Sequence, residues 1–342
     1  MQPESTGTLT AEQIKATAST IIDQQSRDGM ILWFPNGHSD TWNHTEAAMA
    51  LSAAGFIEPA ELAYQWLAKN QRPDGSWHHY YLANAIEDAK VDTNCCAYVA
   101  TGVWHHYLTT GNDVFLKELW PMVKRALDFV VGHQTASGHI PWAIHTSGTA
   151  WSYSLVTGSS SIYHSLRCGL AIALHLGTDQ PEWEFAAVRL SSLLRNNEEQ
   201  FEPKKRWAMD WYYPVLTRAL TEDSASQRMA SRLDDFMLGD HGVRCVSDQP
   251  WVTTAETCEC AMAYLAIGDE TTAHRLFQSI QPLRDRDGAY FTGMVFPENI
   301  TFPDGERSTY SSAAVILAAD ALTNHSAASQ LVLGHGLPLL GS

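Results

Sequence analysis

Six times along this chain an amphipathic stretch at helical spacing gives way to a turn carrying an aromatic residue, and then to a second, more apolar stretch with a polar start. The amphipathic stretches are Thr10 to Gln24, Pro59 to Lys69, Val114 to Val131, Glu182 to Asn196, Ala225 to Met237 and Thr271 to Ile280. The turns carry Trp33, Trp77, Trp142, Trp207, Trp251 and Tyr290. The apolar stretches begin at Asp40, Asp92, Ser160, Met209, Thr254 and Ser308. Almost nothing alternates with period two, so the spacing predicts helices throughout. A unit whose second helix is apolar all round cannot bury it alone, and its neighbours have to supply the contact. Six hairpins closed in a ring, amphipathic helices outside and apolar ones inside, meet that demand. The expected fold is all-α, an (α/α)6 toroid forming one domain over residues 1–342 with short flexible terminal tails.

In such a ring the polar starts of the inner helices gather at one end, where helix dipoles and unpaired N–H groups also point. The stretch from Asp40 to Leu51 shows what collects there. Asp40, Trp42, Asn43, His44 and Glu46 run straight into Ala47-Ala-Met-Ala-Leu51. Polar groups at the head of a buried helix need partners, since an unpaired one costs about 1–3 kcal/mol. A wet pocket supplies them. The corresponding positions of the other units add Asp92, Tyr163, Asp210, Tyr212, Glu256, Glu259, Glu306 and Tyr310, and the loops add Trp33, Trp77, His79, Trp142, Trp151, Trp211, Trp251 and Tyr290. Aromatic faces stack on the C–H faces of sugar rings, and carboxylates accept from hydroxyls. Paired carboxylates without a metal set can cleave a glycosidic bond, one as protonated acid and one as base. Simpler readings stand beside this one. Asp40, Asp92 and Ser160 also suit N-caps, Glu46 suits a first-turn carboxylate facing the dipole, Glu259 a buried partner of Glu256, and Glu306 an ion pair with Arg307.

Composition excludes several alternatives. There are 22 Lys and Arg against 38 Asp and Glu, a formal charge of −16, and no basic run. Nucleic acid is therefore not expected as a partner. No stretch approaches the roughly 20 apolar residues of a membrane span, and the start lacks the pattern of a signal peptide, so the chain reads as cytoplasmic. The six cysteines sit mostly in apolar helical patterns and read as core residues rather than a disulfide framework. His241, Cys245, Cys258 and Cys260 form a weak zinc candidate, because Cys-x-Cys on one helix turns its thiols to different faces. No cofactor is expected.

The stretch Asp40-x-Trp-Asn-His-x-Glu-Ala-Ala-Met-Ala-Leu51, together with Ala208 to Pro214, Trp251 to Cys260, Thr292 to Pro297 and Glu306 to Tyr310, resembles the methylmannose polysaccharide hydrolase family. These are actinobacterial toroid proteins often labelled prenyltransferase-like. The resemblance spans most of the chain. It implies an endo-acting hydrolase of α-(1→4)-linked, partly methylated mannan, inverting, with Asp40, the residue at position 43 and Glu256 as catalytic groups. An inverting pair would stand about 6.5–9.5 Å apart. One departure matters, because the family pattern has Asp where this chain has Asn43. Two carboxylates at i and i+3 face the same way and can hold one water between them, whereas an amide cannot act as a base. Either Asp40 is the base and Asn43 positions, or Asn43 is an inactivating replacement made by design. Glu256 is the candidate general acid.

Two further readings remain. Gln65 to Trp77 resembles the QW repeat of triterpene cyclases, which points to isoprenoid chemistry, but the aspartate clusters of such enzymes are missing and Asp234-Asp235 suits a solvated face. A non-catalytic glycan-binding toroid would keep the aromatics and not need the carboxylates.

Overall fold

Residues Ala47 to Leu51 are wholly buried, and a helix apolar on every face has to be surrounded by other elements. The computed structural model, which describes residues 8–338 and 340, shows how six such helices achieve this. The helices are α1 (Ala11–Ile22), α2 (Thr41–Ala53), α3 (Ile57–Asn70), α4 (Thr93–Thr110), α5 (Asp113–Gly132), α6 (Val156–His175), α7 (Pro181–Asn196), α8 (Met209–Leu216), α9 (Glu222–Ser231), α10 (Leu233–Phe236), α11 (Thr254–Ala266), α12 (Glu270–Ser279) and α13 (Thr309–Thr323). Helices α2, α4, α6, α8, α11 and α13 pack side by side in chain order, and α13 returns to α2, closing the ring. The amphipathic helices lie outside it. The toroid read from the sequence is the observed architecture. The terminal tails expected beyond it fall largely outside the described residues.

The repeating unit is offset by half a step from the outer-then-inner order of the sequence pattern. Helices α3, α5, α7, α9 and α12 each pack chiefly on the inner helix that precedes them, and α1 packs on α13. The reason is loop length. Inner helices are joined to the next outer helix by two to five residues, which forces antiparallel neighbours, whereas the outer-to-inner connections are long enough to cross to the next unit. Two other boundaries differ from expectation. The stretch Ala225 to Met237 breaks at Arg232 into α9 and α10. Helix α6 starts at Val156, so Ser160 is not a cap; its hydroxyl donates to the Val156 carbonyl. Pro214 sits inside α8, which is only eight residues long.

Side-chain amides and hydroxyls stitch neighbouring units together. Gln25 Nε2 donates to the carbonyls of Gly29 and Pro59, Gln71 Nε2 to those of Gly75 and Met122, and Gln134 Nε2 to those of Gly138 and Ala186. Each glutamine thus holds its own turn and the next outer helix at once. The turn must come close to that helix: Gly75 has φ +94°, and a Cβ there would lie 2.3 Å from the Arg125 carbonyl oxygen. At the other end of the long connections, Thr93, Thr254 and Thr309 open inner helices. Each donates its N–H and its hydroxyl to consecutive carbonyls of the following unit's aromatic turn, at Trp142 and Pro141, at Thr292 and Phe291, and at Trp33 and Leu32.

Short antiparallel strands finish the rim of that end. They are β1 (Tyr80–Leu82) with β2 (Ala85–Asp88), β3 (Val91–Asp92) with β4 (Ala143–Ile144), and β5 (Trp251–Thr253) with β6 (Gly293–Val295) and β7 (Ile300–Phe302). Pairing Val91 with Ile144 and Trp251 with Val295 ties the entry loop of one inner helix to that of the next. Among the described residues no helix is long and apolar enough to cross a membrane.

Candidate functional site

The N-terminus of α2 is built around Asp40, which is 2% exposed. Its Oδ1 accepts from the backbone N–H groups of Trp42 (2.7 Å) and Asn43 (2.9 Å), the N-cap geometry. Its Oδ2 accepts from the Trp33 indole (2.7 Å) and from Asn43 Nδ2 (2.7 Å). Four donors fill the four lone-pair directions of a carboxylate, so Asp40 fixes Trp33 and Asn43. The Asn43 amide spends a hydrogen on Asp40, which sets its orientation.

Helix α11 offers two further carboxyls, in a different environment. Glu256 is half-buried near the helix start, and burial raises its pKa above the usual carboxylate range. Glu259, one turn on, is buried; its two oxygens accept from the hydroxyls of Tyr212 and Tyr213. Burial and the neighbouring Glu46 push Glu259 well above its usual range. Glu46 is pushed up to about 8, first by burial and then by the Asp40 carboxylate. Removing water disfavours the charged form, and a nearby like charge disfavours it further. The pocket therefore joins Asp40, saturated with donors at the head of α2, to carboxyls that burial raises above their usual range, Glu46 farther into α2 and Glu256 and Glu259 on α11.

These groups line one cavity of about 250 Å³, together with Trp33, Trp42, His79, Tyr80, Asp92, Cys95, Met209, Ala255 and Tyr310. Its aromatic rim is interlocked: Trp33 meets Tyr310 edge-on at 5.0 Å and Tyr80 at 5.8 Å. Glu46 and Glu259 also border a smaller void of about 30 Å³ farther along the ring axis, lined by Tyr98, Thr101, Ser161, His164 and Tyr213. That is enough for a water with several polar partners. Larger clefts occur on the surface, of about 570, 520 and 710 Å³, but none of them gathers this set of carboxyls.

The structure brings Asp40, Trp42, Asn43, Glu46, Asp92 and Glu256 together with Trp33, His79, Glu259 and Tyr310, and places the other predicted site residues elsewhere. His44 is in the core, where Nδ1 accepts from the Ile31 N–H and Nε2 therefore donates to the Ala63 carbonyl; burial lowers its pKa to about 4 and keeps it neutral. Trp77 and Trp211 are buried with indole N–H groups on the carbonyls of Leu67 and Arg228, and buried Tyr290 donates to Gln281. A large aromatic with a polar tip finds a carbonyl at a neighbouring helix or turn more readily than a place at the rim. Tyr163 lies beside Arg167 in a different cleft, Asp210 accepts from the Thr157 hydroxyl in another, and Glu306 accepts from the Thr292 hydroxyl in a third. Tyr212 stands behind the wall, on Glu259. Trp251 stacks on Phe302 at 4.7 Å, and Trp142 meets Trp151 edge-on at 4.7 Å just outside the cavity, with Trp142 hydrogen-bonded to Asp92.

Of the turn aromatics only Trp33 faces the cavity, so the expectation that all six gather there does not hold. Trp207 is 46% exposed. Tyr80 and Cys95 were not read as pocket residues; Tyr80 sits on a hairpin too short to show as a pattern, and Cys95 looks like any small core residue. Among the described residues, the one cluster able to hold a metal ion is His79, Asp92 and Cys95, not the set of His241, Cys245, Cys258 and Cys260. The QW-like stretch is a structural clamp, with Gln71 on Met122 and Trp77 on Leu67. Asp235 pairs with Arg232 on the exposed α10, as a solvated face would.

No family model matches the chain. It is 48% identical over 332 residues to an MMP endo-(1,4)-3-O-methyl-α-D-mannosidase of Mycolicibacterium hassiacum, covering 97% of this chain and 92% of that one. Among solved structures, a wild-type glycosidase superposes with a TM-score of 0.73 at 15% identity, covering 92% of this chain and 96% of its own. A D-mannose isomerase gives 0.71 at 12%, covering 92% and 98%. An α-amylase from Clostridium perfringens gives 0.69 at 9%, covering 91% and 98%. These structural likenesses show the shared toroid fold.

Proposed function

Because the chain belongs to the family of the Mycolicibacterium hassiacum MMP endo-(1,4)-3-O-methyl-α-D-mannosidase, we propose that it is a glycoside hydrolase cleaving α-(1→4)-linked, 3-O-methylated mannan internally. The observation that carries this reading is the single cavity where Asp40, Asn43, Glu46 and Glu256 meet the rings of Trp33, Trp42, Tyr80 and Tyr310. Rings grip the apolar faces of sugars, and the carboxyls take their hydroxyls.

In this reading Glu256 is the general acid. Burial raises its pKa and so favours the protonated form that a leaving-group oxygen needs. Asn43 Oδ1 orients the attacking water but cannot take its proton, and Asp40, hydrogen-bonded to Asn43, receives it. With four donors already on Asp40, it can accept a proton only by giving one of them up, so the step is slow while residue 43 is an amide. Direct attack by that water inverts the anomeric centre. Trp142 and Trp151, just outside the cavity, continue the aromatic surface for a longer glycan.

The test is to incubate the chain and its Asn43→Asp variant with 3-O-methylmannose oligosaccharides, unmethylated α-mannan and α-glucan, following new reducing ends, product lengths and the anomer first released. Internal cleavage of the methylated mannan with inversion is expected, faster in the variant. Absence of cleavage by both forms would sink the assignment, and cleavage with retention would sink the inverting mechanism.

A further inference from the structure

We infer that His79, Asp92 and Cys95 form a binding site for one divalent cation of the zinc type, on the wall of the same cavity. Asp92 and Cys95 stand one turn apart at the start of α4 and so face the same way. His79 comes from the loop before β1, with its backbone N–H on the Lys90 carbonyl (2.8 Å) and its ring against Tyr80 at 4.0 Å. One donor atom from each residue lies within 4.8 Å of the other two. A tetrahedral zinc, with bonds of about 2.0 Å to nitrogen or oxygen and 2.3 Å to sulfur, asks for donors roughly 3.5 Å apart. Side-chain torsions have about 1 Å to close.

Three further observations point the same way. His79 Nδ1 is buried and has no hydrogen-bond partner, a cost that a bound cation relieves. Asp92 is oriented from behind, accepting from the Cys95 N–H (3.0 Å) and hydrogen-bonded to Trp142, as the outer partners of metal ligands do. The cavity also holds Asp40, Glu46, Glu256 and Glu259, and no lysine or arginine lines it. The nearby Lys90 is paired with Asp88 at 2.9 Å. A thiolate, an imidazole and a carboxylate select zinc over magnesium or calcium. Three protein donors leave the fourth tetrahedral position open towards the cavity, so the ion would compete with whatever else binds there.

On binding, the Cys95 S–H bond breaks, a sulfur–metal bond forms, and one proton passes to the buffer. The experiment is a titration of the intact chain with Co²⁺ in the absence of sugar, which makes it independent of the hydrolase reading. Expected are visible bands of tetrahedral intensity and a near-ultraviolet sulfur-to-cobalt charge-transfer band, both removed by one equivalent of Zn²⁺ and left by Mg²⁺. Cys95→Ser should abolish the charge-transfer band, and His79→Ala should weaken Zn²⁺ binding about tenfold or more. The proposal is overturned if the intact chain shows no charge-transfer band, or if the band persists in Cys95→Ser. Should Cys95→Ser fail to fold, His79→Ala decides, and unchanged Zn²⁺ affinity overturns it.

Discussion

The two walls of the cavity are made from the same kind of element, an apolar inner helix with acidic residues in its first turns, yet the carboxyl at the head of α2 and those on α11 meet different surroundings. On α2, Asp40 is nearly inaccessible and still meets four donors. On α11, Glu256 is more exposed than Asp40 and yet has its pKa raised by burial, while Glu259 meets tyrosine hydroxyls and a second carboxyl. The difference teaches that a carboxyl's position in its helix, and not its depth alone, decides which donors it meets. An N-cap position supplies two backbone donors by construction. Positions farther into the helix supply fewer, because beyond the first turn the N–H groups are already bonded within it.

The largest effect expected from breaking this contrast is at Glu256 on α11. Glu256→Gln should lower kcat by about 10²–10⁴-fold while oligosaccharide binding, followed calorimetrically, is retained. A loss below tenfold would remove Glu256 from the role of acid, and loss of binding along with activity would favour a purely structural role. Next comes the head of α2, where Asn43→Asp should raise the rate of reducing-end release about tenfold or more; an unchanged rate would mean position 43 does not govern the attacking water.

Stability sharpens the same comparison. Asp40→Ala strips the cap and leaves the Trp33 and Asn43 donors without their acceptor, at a cost of about 2 kcal/mol in denaturant unfolding. Glu256→Gln, an isosteric change at a side chain that caps no helix, should cost far less. Equal losses would show that the two walls do not differ as described. The smallest effect is a change of slope. Native Glu46 keeps its proton up to about pH 8, whereas an unfolded glutamate loses it near pH 4.3. Between those values the native state binds more protons, so this contribution is complete below about pH 4, declines as pH rises and is gone above 8. Melting curves from pH 5 to 9 should be flatter in Glu46→Gln than in the unchanged chain, and parallel curves would remove Glu46 as a group that keeps its proton.

The ring was legible because its evidence is spread along the chain. Amphipathic stretches alternating with stretches like Ala47 to Leu51 can be satisfied only by inner and outer layers, and the observed helices match most of those stretches to within a few residues. The half-step in the repeat was not legible, since it depends on which neighbour a helix chooses across a loop. The α2 and α11 walls could be picked out, because polar residues heading an apolar helix need an explanation wherever they occur. The aromatics could not be sorted, as nothing in the sequence distinguishes Trp33, which meets Asp40 at the rim, from Trp77, which meets the Leu67 carbonyl in the core.

By itself, then, the sequence determined the helical layering, the closed ring and the end at which chemistry would collect, since hydrophobic periodicity and helix starts are local properties repeated along the chain. Only the tertiary structure decided which carboxyls burial raises, which rings face the cavity, and that His79 from one loop meets Asp92 and Cys95 from the start of α4. Charge state, orientation and ligand geometry depend on groups far apart in sequence whose distances are set only when the ring closes.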